Sequence, residues 1–97
     1  MNDEELEKKI KSVGKKAFVQ NYELFEDFQR GRISRSDAIE KLVKAKVSNE
    51  AGAAIRLGNA KLIFEHNRQH DALSLVLSSN RVDNQTRDLA RQLKASK

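Results

Sequence analysis

Apolar positions recur every three or four residues along most of the chain, and strand-like alternation is almost absent. Such spacing places apolar side chains on one face of an α-helix, so it predicts an all-α protein. There is no proline, and signals for helix starts and ends divide the 97 residues at four points. A chain of this length supports one core. We therefore expect a single domain, residues 1–97, folded as a compact bundle of five helices, or six if Gly14 divides the first.

The first predicted helix begins at about residue 3 and continues to about residue 29. Asn2 and Glu5 have the spacing of a capping box, which marks its start. Gly14 lowers helix propensity by about 1 kcal/mol relative to alanine, so a kink there is the alternative to one continuous helix. The apolar positions agree in phase across the whole segment, which favours a single helix. They are Leu6, Ile10, Val13, Ala17, Leu24 and Phe28, with Phe18 and Phe25 on the flank.

The second predicted helix covers about residues 35–46. Gly31 follows the first helix where a left-handed C-terminal cap is favoured, and Ser34 with Asp37 has the spacing of an N-cap. Its apolar side chains alternate with charged ones at helical spacing, so we expect one buried and one solvated face.

The third predicted helix, at about 49–66, is the expected centre of the bundle. Ser48 is its predicted N-cap. A helix that is apolar on two opposite faces has to be covered on both, which predicts a central position. The first face contains Ala51, Ala54, Ile55, Gly58 and Leu62, and the second contains Ala53, Leu57, Ala60 and Phe64.

Two shorter helices complete the predicted bundle. After a turn at Asn67, one helix is expected at about 69–79, with Asn80 ending it in a left-handed conformation. Asp83 is the predicted N-cap of the last helix, at about 84–95.

The charge balance favours a polyanionic partner. Lys and Arg number 19 against 14 Asp and Glu, which gives a net charge of +5. The absence of cysteine excludes disulfides and thiolate sites. The N-terminus is acidic and no apolar stretch has the length of a membrane span, so we expect a cytoplasmic protein that does not enter a membrane.

Two basic clusters are the candidate nucleic-acid or anion-binding sites. The first lies in a predicted turn beside a helix N-terminus, which itself favours anions, and the second follows one face of the last helix. An ordinary solvated surface is the alternative interpretation of both. The candidate residues are Arg30, Arg32 and Arg35 in the first cluster, and Arg87, Arg91 and Lys94 in the second.

More specific chemistry has little support in the sequence. In a helix-turn-helix that reads DNA, the helix at 49–66 would have to lie in the major groove of the DNA. The apolar pattern of this helix instead predicts that it lies in the protein core. His66 and His70 are four residues apart, but a helix break at Asn67 would remove metal-ligand geometry. No catalytic motif is present. We therefore expect no enzyme activity, no metal and no cofactor.

The sequence thus predicts a small, basic, non-enzymatic helical binding protein. The first hypothesis is a nucleic-acid-associated protein that contacts phosphates without reading bases. The alternative is a protein–protein interaction module, such as an inhibitor, an adaptor or a small subunit, with homodimerisation included. No small-molecule substrate is evident.

Overall fold

The computed structural model describes residues 1–96, and the predicted domain extends one residue further, to Lys97, which lies outside the described range. Within residues 1–96 the chain forms helices and no strands, as predicted. The helices are α1 (Asp3–Val13), α2 (Lys15–Gln20), α3 (Tyr22–Gln29), α4 (Arg35–Lys44), α5 (Glu50–Glu65), α6 (Gln69–Leu77) and α7 (Asn84–Ser96). They pack into a compact bundle with one core cluster.

The segment predicted as one continuous first helix forms three helices. The preferred prediction of a single helix was therefore wrong, and the alternative, in which Gly14 divides the segment, is confirmed. Gly14 has φ +92°, a conformation that L side chains rarely adopt, and it ends α1. A second break, at Asn21, was not predicted. Its backbone is non-helical, and its side-chain amide donates to the carbonyl oxygen of Ala17 at 3.0 Å. The described chain therefore has seven helices rather than five or six.

The two breaks change which side chains enter the core. Phe18 and Phe25, expected on the flank of the stripe, are fully buried together with Val19 and Tyr22. The expected stripe positions at this end, Ala17, Leu24 and Phe28, are only partly buried. The aromatic rings of Phe18, Tyr22, Phe25 and Phe64 then pack against one another at the centre of the molecule.

Helix starts follow the predicted capping residues with one exception. The side chains of Asn2, Ser34 and Asp83 accept hydrogen bonds from backbone N–H groups three residues further on, as predicted. The prediction for Ser48 was wrong, because Asn49 caps α5 by accepting from the N–H of Gly52 at 2.8 Å.

Helix ends were predicted less consistently. Gly31 (φ +77°) has the expected left-handed conformation, and the turn predicted at Asn67 is present, with φ +56° at that residue. Lys46 ends α4 in the same way with φ +60°, which the sequence did not suggest. The prediction for Asn80 was wrong: α6 ends earlier, at Leu77, and Asn80 does not have a positive φ.

The central position predicted for the third helix is confirmed in α5, which packs against α1, α3, α4 and α6. α6 and α7 form a pair on one side of the bundle, and α7 also packs against α2. None of the helices in residues 1–96 combines the length and apolar character needed to cross a bilayer.

Candidate interaction surfaces

Only one of the two apolar faces predicted for α5 is covered. Ala53, Leu57, Ala60 and Phe64 are buried, as expected for a helix at the centre of the bundle. The prediction that the opposite face is also covered was wrong, since Ala54 is half-buried and the rest of that face is exposed. The exposed residues, called the α5 stripe below, are Ala51, Ile55, Gly58 and Leu62.

The α5 stripe is narrow and alternates small with large residues. At 100° per residue its four positions fall within about 60° of the helix circumference. Ile55 is 61% exposed and Leu62 is 36% exposed. A Cβ atom added at Gly58 would have no neighbour within 4 Å, so the space above the glycine is open. The pattern presents two apolar knobs and two shallow positions that could receive knobs from another helix.

Contacts with α1 and α3 fix both edges of the stripe. On one edge, Arg56 donates from Nη1 to the carbonyl oxygen of Val13 at 2.5 Å, and Asn59 donates from Nδ2 to Ser12 Oγ at 2.9 Å. A helix that reads a DNA groove would need such polar side chains free, and these two are engaged with α1 instead.

On the other edge, the Lys61 ammonium lies 5.7 Å from the centre of the Phe28 ring and pairs with Glu65 at 3.4 Å. Both edges of the α5 stripe are therefore lined by polar side chains that already have partners within the chain.

The first predicted basic cluster is exposed, but two of its guanidinium groups have acidic partners. Arg30 lies 3.6 Å from a Glu26 carboxylate oxygen, and Arg32 donates to Asp27 at 3.2 Å. Arg35 is exposed in the first turn of α4 and makes no ion pair with another residue in the range 1–96. The predicted turn geometry is present, with one cation left for an external anion.

The second predicted cluster is engaged in contacts within the chain. Arg87 donates from Nη2 to the carbonyl oxygen of Ser79 at 2.6 Å and so holds the connection between α6 and α7. Lys94 donates to Ser74 Oγ at 2.5 Å, which ties α7 to α6. Arg91 pairs with Asp88 one turn earlier, at 3.0 Å. Arg87 and Lys94 therefore have structural contacts that the sequence pattern did not indicate.

The structure does not bring the two predicted clusters together. The first lies on the connection between α3 and α4, and neither of these helices is among those against which α7 packs, α2 and α6. A continuous basic face built from the six predicted residues is therefore absent from the described part of the chain.

A different set of cations converges on a groove that sequence reasoning missed. The groove has a volume of about 750 Å³ and lies between α1, the start of α2 and the α6–α7 connection. Its basic residues come from segments far apart in sequence: three lysines from α1 and α2, and Arg81 from the α6–α7 connection. The one signal of a basic site in the sequence was that Lys11, Lys15 and Lys16 lie within six residues of one another. We call it the basic groove; it is lined by Glu7, Ile10, Lys11, Lys15, Lys16, Leu75, Ser78, Ser79, Arg81, Val82 and Asp83.

One acidic residue of the basic groove has a lowered pKa. The backbone N–H of Thr86 donates to Asp83 at 2.6 Å and is the main cause, with the Thr86 side chain and Lys16 adding to it. Lys16 lies 3.6 Å from the Asp83 carboxylate. Lys11, Lys15 and Arg81 form no side-chain hydrogen bond or ion pair with any other described residue.

Within residues 1–96, no three His, Asp or Glu side chains come together as metal ligands would. Comparison of the chain with family models, curated proteins and solved structures gave no match.

Proposed function

We propose that this chain is a non-enzymatic protein-interaction module whose α5 stripe binds the α5 stripe of a second copy. The two α5 helices run antiparallel about a two-fold axis. The observation that carries the proposal is the exposure of Ala51, Ile55, Gly58 and Leu62 along one line of the central helix.

The composition of α5 supports a covered stripe. A helix that is apolar on two opposite faces is ordinarily covered on both, whereas α5 leaves one of its two apolar faces to solvent. Covering apolar surface stabilises an assembly by roughly 25 cal/mol per Å². A second protein surface supplies that cover without any change in the fold of the monomer.

The order of the side chains favours an antiparallel second copy as the partner. When two α5 helices lie antiparallel, Ile55 faces Gly58 of the second copy, and Leu62 faces Ala51. Each large side chain meets a small one, as in interdigitated helix pairs. A parallel pair in register would place Ile55 against Ile55 and leave a gap between the two Gly58 residues. The antiparallel arrangement is also isologous, so it closes as a dimer.

Charge along the stripe is compatible with the same arrangement. In the antiparallel pair, the level of Glu50 falls between Lys61 and Glu65 of the second copy, two residues from each, so an attraction and a repulsion offset each other there. Glu65 lies near the N-terminus of that copy's α5, where the helix dipole favours a carboxylate.

The size of the stripe indicates a weak dimer. A helix of this length is about 24 Å long and about 10 Å wide. This footprint is well below the roughly 800 Å² per partner of stable protein–protein interfaces. We therefore expect a reversible association that depends on protein concentration.

Sedimentation equilibrium over a wide range of protein concentration tests the proposal. Wild-type chain should shift from monomer towards dimer as concentration rises, and Ile55→Lys should remain monomeric. Val43→Lys is the matched control, since Val43 is 39% exposed on α4 and lies outside the stripe. A wild-type monomer at every concentration, or equal loss of dimer in both variants, would overturn the proposal.

Nucleic-acid binding through Arg30, Arg32, Arg35, Arg87, Arg91 and Lys94 stays a prediction from the sequence. It takes second place because most of these side chains have partners within the chain and because the two clusters lie apart.

A further inference from the structure

We infer that the basic groove is a second binding site, separate from the α5 stripe, and that it takes an acidic segment of a partner protein with an apolar side chain on the groove floor. None of its lining residues belongs to α5, so the two surfaces can be occupied independently.

The floor of the basic groove is apolar. Its open apolar surface comes from Leu75 and Val82, which are half-buried; Ile10 also lines the groove but is only 1% exposed. Open apolar surface at the bottom of a groove gains free energy when an apolar side chain displaces water from it. A volume of about 750 Å³ has room for several side chains of a peptide.

The walls of the groove are positively charged. The lining contains four cations, Lys11, Lys15, Lys16 and Arg81, and two carboxylates, Glu7 and Asp83, which leaves a local charge of +2. Lys16 is committed to Asp83, while the other three cations have no acidic partner in residues 1–96. Like charges gathered around a concave surface attract anions more strongly than scattered ones do. The groove is therefore complementary to carboxylates.

The same lining favours a peptide over a nucleic acid. Base recognition in single strands relies on aromatic side chains as stacking surfaces, and no lining residue of the basic groove is aromatic. Phosphate backbones gain little from an apolar floor. An acidic peptide with a leucine uses both the floor and the cations.

The binding probe is a fluorescent peptide composed of glutamate and leucine, titrated by anisotropy at low and at moderate salt. The groove variant is Lys15→Glu/Arg81→Glu. The matched control is Lys41→Glu/Lys46→Glu, which makes the same change in net charge on two exposed residues at the C-terminal end of α4 and just after it, outside the basic groove and outside both predicted basic clusters. Circular dichroism establishes that both variants retain the wild-type helix content.

The groove variant should lose at least about tenfold in affinity, because carboxylates then face reversed charges. The control should stay within about twofold of wild type. Replacing the leucines of the peptide by serine should also weaken binding, since the floor then has no partner. A single-stranded oligonucleotide serves as a competitor and should displace the peptide poorly.

Three results would overturn the inference. One is the absence of peptide binding at low salt, and another is equal loss in the groove and control variants, which would show a net-charge effect. The third is an oligonucleotide that competes as well as the unlabelled peptide. None of these bears on the α5 stripe, which is tested by sedimentation in the absence of peptide.

Discussion

The guanidinium of Arg56, in the middle of α5, donates a hydrogen bond to the carbonyl oxygen of Val13, the last residue of α1, at 2.5 Å. The end of a helix leaves carbonyl oxygens without partners within the helix. Gly14 follows with φ +92°, and a Cβ atom at that position would lie 2.9 Å from Arg56 Nη1. The break in the first segment and the side chain from α5 are therefore one structural unit.

Gly14→Ala should lower the free energy of unfolding by about 2 kcal/mol, because the backbone conformation at this position, φ +92° and ψ +126°, costs an L side chain roughly 1–3 kcal/mol and the new Cβ also displaces Arg56. In an Arg56→Ala background the displacement is removed and only the backbone cost remains, so the loss should be smaller. Urea denaturation of the four chains in this double-mutant cycle measures the difference. Equal losses in both backgrounds would show that the two residues are not coupled.

The pH dependence of stability should carry a contribution from Tyr22, the one tyrosine of the chain. Burial, with a smaller contribution from Glu26, raises the pKa of Tyr22 to about 12. The folded state then keeps the phenolic proton at a pH where the unfolded chain, with a pKa near 10, has lost it. The free energy of unfolding should therefore fall between pH 10 and 12, by up to about 3 kcal/mol from this group.

Comparison with Tyr22→Phe isolates that contribution, since the lysines titrate in both chains. The wild type should lose more stability than the variant between pH 10 and 12, and ultraviolet absorbance should show tyrosinate forming late in the folded protein. Parallel pH profiles for the two chains would contradict the assignment.

The antiparallel arrangement of the dimer predicts a specific pattern of cross-links, and the chain has no cysteine of its own to interfere. Chains carrying Leu62→Cys should cross-link with chains carrying Ala51→Cys under mild oxidation. Leu62→Cys chains alone should not, because the two positions 62 are then ~16 Å apart along the helix axis. A disulfide needs Cα atoms within about 7 Å of each other. Rapid cross-linking of Leu62→Cys with itself would instead indicate a parallel pair.

The helical class and the central helix were predictable because they depend on local spacing and on short-range caps. Ser34 and Asp83 cap their helices through contacts three residues away, which a sequence pattern contains. The single first helix was a wrong prediction because the phase of apolar residues does not reveal a backbone break. Val19 and Tyr22 enter the core only after that break changes the buried face.

The candidate surfaces were less predictable because they depend on contacts between distant segments. Arg87 and Lys94 look like surface cations in sequence, and their partners Ser79 and Ser74 are evident only when α6 and α7 pack together. The basic groove combines α1, α2 and the α6–α7 connection in the same way. The two apolar faces of α5 were recognised, but a pattern cannot tell whether the second face is covered by the same chain or by another.

Gly58→Leu tests the self-association through α5 most directly, by sedimentation equilibrium beside wild type. Leucine favours a helix by nearly 1 kcal/mol over glycine, and the space above Gly58 is open, so the monomer should become more stable in denaturation. The dimer should nevertheless weaken, because the new side chain fills the position that receives Ile55 of the second copy. Stronger association of Gly58→Leu would show that the stripe is only a non-specific apolar patch, and would contradict the account.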